Sequence, residues 1–402
     1  MAIGRRHVCI YPTGATTTPT TSTATQRDGG ATYDAVYITM TAMEAAENGD
    51  YTTGGAKDVG SAGDGTILHV EIIDPDGDSD WSGAHDVGGF EFGGWKTAKA
   101  GDGSCVEIKT FGTARSSNGL YDTDAYVIDH GSDSECVDID NDFDVGTSYI
   151  DIEFDGVQFR HHTTAHRVVY IHSSQSAKQI SFLNCYMLNE TAGTNFNSEL
   201  EDVTNFVLRV KNCIIQGGTD CMEVAPLNVA HIYNCTIFGG SDNGIQTTNV
   251  GVQPVNCAVF NNVGDDWKYG FDDPYPNFCA SDDYTDEGTN GVDISPGATE
   301  ADEWDKAFTN YSATPPDVTI KDASSVLHHD INTYQSQTND SEVPSTDIIG
   351  TARPDGSEDC GAFQFVGAPT GWSAGDVTGV AATDISKIMG VAIADIAKVG
   401  GV

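Results

Sequence analysis

An asparagine–cysteine pair returns four times in the middle of this chain, at a spacing that few folds accept. Asn184-Cys185, Asn212-Cys213, Asn234-Cys235 and Asn256-Cys257 follow one another at steps of 28, 22 and 22 residues. Each pair lies inside a short apolar run, as in Val210-Lys211-Asn212-Cys213-Ile214-Ile215 and Ile232-Tyr233-Asn234-Cys235-Thr236-Ile237. The alternation of residue types about the pair predicts strands. A repeat of about 22 residues is too short for a pair of helices and matches one turn of a β-solenoid with three short strands. Successive turns would stack about 4.8 Å apart, so that equivalent residues form columns. Cysteine in such a column is a small buried hydrophobe, and asparagine is expected to build an amide ladder at the adjacent corner. In-register neighbours on parallel strands rarely meet disulfide geometry, so these thiols are expected to be free.

The pattern extends in both directions. Asp220, Asp242 and Asp265 follow Cys213, Cys235 and Cys257 by seven, seven and eight residues, each just ahead of an apolar residue (Met222, Ile245, Trp267). They are read as a column of turn residues entering the next strand. Upstream, Ile150 to Phe159 alternates in the same way, and Cys136 to Ile139, Tyr126 to Ile128, Cys105 to Ile108 and Ile67 to Ile72 read as earlier, less regular turns of the repeat. Composition agrees. With 44 Asp against 16 Glu, and 45 Gly, the chain favours turns over helices. A hydrophobic fraction of 39% with 16 Phe, 15 Tyr and 5 Trp is enough for a core, and a repeat architecture lets one body grow without splitting into domains. A net charge of −41 argues against a nucleic-acid partner. No run approaches the roughly 20 apolar residues of a membrane span, and the first residues lack the apolar stretch of a secretory signal, so a product made and kept in the cytoplasm until assembly is expected.

The repeat resembles the right-handed parallel β-helix superfamily, which includes pectate lyases, polysaccharide depolymerases and phage tailspikes, over residues 65 to 366. Near the end of that span, Asp347-Ile348-Ile349-Gly350-Thr351-Ala352-Arg353 and Asp359-Cys360-Gly361-Ala362 look like the closing segment common in secreted and viral members, with Arg353 and Asp359 expected to pin the final turn. The resemblance implies an all-β chain built on one right-handed parallel β-helix, with an N-terminal arm and capping helix and a small C-terminal helical knob. Three segments follow: 1–50, an extended Thr-rich arm and a capping helix over Ala35 to Glu47; 51–367, the β-helix; and 368–402, an attachment segment. The last carries an 11-residue repeat, with Asp384/Asp395, Ile385/Ile396 and Lys387/Lys398 in phase, similar to the G-V-x4-I-x-K endings of tailed-bacteriophage virion proteins.

Three groups of residues invite chemistry. Asp74, Asp76, Asp78 and Asp80 place carboxylates at alternate positions, which suits a loop holding Ca²⁺, and Asp138, Asp140, Asp142 and Asp144 repeat the arrangement; solvated acidic turns are the competing reading. Arg160, His161, His162, His166 and Arg167, with His172 beyond, form the densest cationic patch. Arg160, His166 and Arg167 could serve a lyase if carboxylates of the next turn approach, or could be surface residues at a subunit contact. The column of Asp220, Asp242 and Asp265, with Glu223 and Trp267, could hydrolyse or grip a sugar, since paired carboxyls one or two strands apart span the roughly 5–9.5 Å used by glycosidases. An Asp-favouring turn in a repeat produces the same column without chemistry.

The expectation is therefore a structural virion protein of a tailed bacteriophage, a capsid decoration or tail fibre or spike subunit. Its expected partners are other virion proteins and copies of itself, with host surface polysaccharide as a ligand. No cofactor is required, Ca²⁺ is the one candidate ion, and neither nucleic acid nor membrane insertion is expected. The rival is a polysaccharide lyase or glycoside hydrolase on the same scaffold.

Overall fold

The structure is a computed structural model describing residues 4–11, 32–47, 66–73, 81, 89–91, 105–131, 134–140, 151–163, 165–173, 179–200, 206–225, 229–248, 251–268, 271, 276–283, 291–294, 304, 306–322, 324–328, 343–353 and 359–365. Among these the chain is mostly β, in three parallel sheets and one antiparallel pair. From Asp151 to Lys268 it visits the sheets in rotation. Asp151–Asp155 joins a long sheet, Gln158–His161 a second, Val169–Ser173 a third, and Gln179–Leu183 returns to the long sheet beside Asp151–Asp155. Each strand from Asp151–Asp155 to Ile245–Thr247 thus pairs with the strand three places on, as when Ile180 meets Ile152 and then Leu208. Side chains from all three sheets share one core. Phe154 and Phe182 of the long sheet stack at 5.2 Å, Phe159 of the second lies 5.5 Å from Phe154, and Phe196 of the third lies 5.4 Å from Phe182.

The asparagines mark the corner between the long and second sheets. Registers between the long-sheet strands align Gly156, Asn184, Asn212, Asn234, Asn256 and Phe278 one position past the strand ends. All six have left-handed backbones, with φ of 74, 54, 52, 55, 55 and 54°. Glycine and asparagine tolerate this region best, which gives the repeat its asparagine. The expected amide ladder is short. Asn184 Nδ2 donates to Asp155 Oδ1 at 2.7 Å and Asn212 Nδ2 to Asn184 Oδ1 at 3.1 Å, whereas the Asn234 amide makes no hydrogen bond among the described residues. The column runs one member beyond the sequence repeat, because Phe278-Cys279 keeps the 22-residue step and the corner while replacing asparagine. All ten cysteines are free. Those following the corner are buried, and their thiols contact carbonyls of the neighbouring strand, as Cys235 Sγ does with Val210 O at 3.3 Å.

The sheet begins ahead of residue 51, where the sequence reading placed its start. Gly4–Ile10 pairs in parallel with Thr66–Ile73 over seven residues, and Ala35–Tyr37 forms the edge strand beside it. Val8 and Ile10 face the core, so this stretch is a strand rather than an arm. The helix is shorter than expected, Met40–Glu47: Ala35–Tyr37 before it is a strand, the chain bends at Ile38 and Thr39, and Thr39 Oγ1 caps the helix by accepting from the Ala42 N–H at 3.0 Å. Met40 and Met43 join the main core, and Glu47 is clamped by Arg6 through two contacts of 2.7 Å. Residues 12–31, Asp74 to Asp80, Asp142, Asp144 and the whole of 366–402 lie outside the described residues.

A second core was not anticipated. Strands of the second sheet bury both faces: Met187, Ile215, Ile237 and Val259 point into the main core, while Tyr186, Ile214, Phe238 and Phe260 pack outward against Trp304, Phe308, Ile348 and Phe363. Continuous apolar runs such as Ala258-Val259-Phe260 are the sequence mark of such doubly buried strands. Residues 343–353 and 359–365 lie along the corner beside this core. Thr346 O accepts from Asn212 Nδ2 at 2.8 Å, Gly361 N donates to Asn256 O at 2.7 Å, and Ala362 N donates to Thr236 Oγ1 at 2.9 Å. Arg353 donates to Asp359 O and Gly361 O at 3.0 and 2.8 Å, and the fully buried Asp359 carboxylate accepts from Gln364 Nε2 at 2.9 Å and pairs with His328 Nδ1 at 2.8 Å. Both residues hold this segment in shape.

Candidate functional site

The third sheet differs from the second because its outward positions are polar. In Val169–Ser173, Val169 and Ile171 enter the core, which leaves Tyr170 and His172 on the outer face. The registers then align one outward row: Glu91, Asp138, Tyr170, Asn197, Glu223, Gln246 and Lys268. His172 and Glu199 stand side by side in the next row.

These groups hold one another in place. Arg167 lies 4.1 Å over the Tyr170 ring and reaches Glu135 at 3.6 Å and Glu199 at 3.4 Å. The Tyr170 hydroxyl donates to Glu199 Oε2 at 2.9 Å; burial, and then the Glu199 carboxylate, push it up to about 12. His172 stacks on Tyr170 at 4.5 Å and pairs with Asp138 at 3.2 Å. Asn197 Nδ2 donates to Glu223 Oε2 at 2.8 Å and Gln246 Nε2 to Oε1 at 3.4 Å. Burial raises the Glu223 carboxyl above the ordinary range, and the charges of Asp220 and Glu199 add to it, with Arg167 opposing.

The residues nominated from sequence are divided by this arrangement. Arg167 and His166 sit at the third sheet, where His166 Nδ1 lies 3.7 Å from Glu135. Arg160 belongs to the second sheet and is paired with Glu190 at 2.8 Å and Asp129 at 3.5 Å. His162 reaches Asp129 at 2.8 Å, and His161 is buried with Nε2 3.1 Å from Ser134 O. The cationic patch is thus parted between two faces. The Asp row is rearranged too. Registers of Met222 with Ile245 and Ile245 with Trp267 align Asp220, Asn243 and Asp265, and put Asp242 one position away. The turn before Ile245 carries one residue more than the turn before Met222, which produces the shift. Asp220 is buried and accepts from Asn243 Nδ2 at 2.6 Å, so it fastens the turn. Asp242 is half exposed, 3.9 Å from Lys268, and Asp265 is exposed. Trp267 points into the main core, so its ring is no sugar platform. Tyr170, Asn197 and Glu199 escaped the sequence reading because variable turns blur the spacing between third-sheet strands.

A separate polar cluster lies on the outer face of the long sheet, at its N-terminal end. His7 and His69 face each other across the parallel pair, and Glu71 follows on the same face as His69. One donor atom from each comes within 4.8 Å of the others, the one such group among the described residues. His69 Nδ1 pairs with Glu107 Oε2 at 2.9 Å, its Nε2 lies 3.2 Å from Glu71 Oε1, and the Tyr33 hydroxyl donates to Glu71 Oε2. Burial lowers the imidazole, but hydrogen bonds to Glu107 and Glu71 and their charges more than offset this and raise it to about 9.

No helix among the described residues is long and apolar enough to cross a membrane. No family model, no curated protein and no solved structure matches this chain.

Proposed function

We propose that the three sheets form one right-handed parallel β-helix, and that the chain is a structural virion protein of a tailed bacteriophage, a capsid decoration or tail fibre or spike subunit that grips surface glycan with its third sheet. The rotation of the chain through three parallel sheets around one core supports the solenoid. Met40 and Met43 in that core, beside the edge strand Ala35–Tyr37, support a capping role for the helix. The C-terminal 11-residue repeat is what supports the virion and its neighbours as the setting.

The outward row of the third sheet carries the glycan reading. Gln246 and the carboxylates of Glu199 and Glu223 offer the planar hydrogen-bonding groups that sugars meet; the buried Asn197 supports Glu223 from beneath, and Tyr170, sandwiched by Arg167 and His172, positions Glu199. The row is net acidic, so the ligand is a neutral or amino-sugar polysaccharide rather than a polyuronate. The same charges argue against a lyase. Such an enzyme needs free cations beside a uronate, and Arg160 and Arg167 each lie between two carboxylates. A hydrolase reading keeps one specific support, the raised carboxyl of Glu223 beside other carboxylates, as a general acid requires.

Two experiments test the proposal. Antibody to the purified protein is expected to label tailed particles of the encoding virus in electron micrographs, and unlabelled particles would remove the virion role. Purified protein is expected to bind a neutral or amino-sugar surface polysaccharide without depolymerising it. Clearing of that polysaccharide, lost in Glu223→Gln, His166→Ala or Asp242→Ala, would replace the structural reading with the enzymatic one.

A further inference from the structure

We propose that His7, His69 and Glu71 form a binding site for a divalent transition-metal ion of the zinc class, which staples the first strand of the chain to the long sheet. The three residues come from two paired strands, Gly4–Ile10 and Thr66–Ile73, so the sheet itself fixes their spacing. His69 and Glu71 are fully buried and His7 is half-buried. A four-coordinate zinc with ligands about 2.0–2.2 Å away would separate donors by on the order of 3.4 Å. The present mutual limit of 4.8 Å is within reach of that by side-chain rotation.

The surroundings are those that a metal site requires. A ligating histidine gives its second nitrogen to a carboxylate, which fixes the tautomer and turns the other nitrogen toward the ion. Glu107 occupies that place: it takes Nδ1 of His69 at 2.9 Å and leaves Nε2 facing Glu71 Oε1 at 3.2 Å. The ligating carboxylate is itself anchored, since the Tyr33 hydroxyl donates to the other oxygen, Oε2. The fully buried Glu71 carboxylate favours a divalent cation as a counter-charge, while Glu107 is partly exposed and also lies 3.8 Å from Lys109 Nζ. Two imidazoles and one carboxylate select a borderline ion. Calcium and magnesium take oxygen ligands and are poorly served by this set.

The test uses the full chain without a histidine tag, stripped with chelator and titrated calorimetrically with Zn²⁺, and by absorption with Co²⁺. One equivalent per chain is expected, with Co²⁺ bands of four-coordinate intensity, a rise in melting temperature with Zn²⁺, and no response to Ca²⁺. His7→Gln changes only the half-buried ligand and is expected to abolish stoichiometric binding while the far-ultraviolet dichroism is kept. Glu107→Gln is expected to weaken binding by about 10–100-fold, as loss of a supporting carboxylate does elsewhere. Absence of stoichiometric Zn²⁺ binding in the unaltered protein overturns the proposal, as does unchanged binding in folded His7→Gln, or a Ca²⁺ response in place of the Zn²⁺ one. Should His69→Gln fail to fold, His7→Gln still decides.

Discussion

The second and third sheets are built from strands of the same chain, turn by turn, yet their outer faces have opposite fates. The second presents Tyr186, Ile214, Phe238 and Phe260, and residues near the end of the described chain cover them. The third presents Asp138, Tyr170, Asn197, Glu223, Gln246 and Lys268, which pair mainly with one another. Only the inward face is demanded by the shared core. The outward face is free to specialise, as a second core in one sheet and as a row of mutually paired polar groups in the other.

Four substitutions can break or sharpen that contrast. The largest effect is expected for Phe260→Ala, because its ring stacks on Phe238 at 5.2 Å and Phe308 at 4.7 Å inside the second core. A loss of about 3–5 kcal/mol is expected in denaturant unfolding; a loss near zero would mean that the outer layer does not stabilise the sheet. Asn234→Ala tests the corner that both sheets share. An alanine at φ 55° is expected to cost about 1–2 kcal/mol, and Asn234→Gly to restore most of it. On the third sheet, Tyr170→Ala is expected to leave the melting temperature nearly unchanged and to weaken glycan binding about tenfold, equivalent to roughly 1.4 kcal/mol. If stability falls and binding does not, the row is structural. The smallest effect concerns Glu223. A carboxyl raised in the fold binds its proton more tightly there than in the unfolded chain, so stability present at low pH declines as pH rises from its ordinary 4.5 through the folded value. Glu223→Gln is expected to lack that decline and to be slightly the more stable protein at neutral pH, with the difference closing below pH 4.5.

The inward half of this architecture is legible in the sequence. A fixed 22-residue step needs both a corner residue that accepts a left-handed backbone and a small apolar residue behind it, and Asn-Cys supplies both. The reading failed where a different residue meets the same demand, at Phe278, and where one added turn residue moved Asp242 off the row. Gly4–Ile10 was missed because a single short alternating stretch carries no repeat of its own. The outward polar row of the third sheet is legible only in part. Glu223 stands out in the sequence beside Asp220, but Tyr170, Asn197 and Glu199 are joined to it by strand pairing, which local sequence does not encode. Similarly, the apolar runs of the second sheet were visible as strands, while the partners that bury their outer faces lie far along the chain, as Phe308 does from Phe260.

Among the described residues, the number of stacked rounds has a limit of its own. Parallel strands in register can be added or removed in whole rounds without disturbing the pairing on either side, so nothing in the sheets themselves limits their number. Residues 343–353 and 359–365 impose a limit. They meet Arg115 through Ile348 O, Asn212 through Thr346 O, Thr236 and Asn256 through Ala362 and Gly361, and Phe278 through Cys360. A duplicated or deleted round would leave these contacts out of step. The brace is a ruler, and it makes a growable stack into an object of one length.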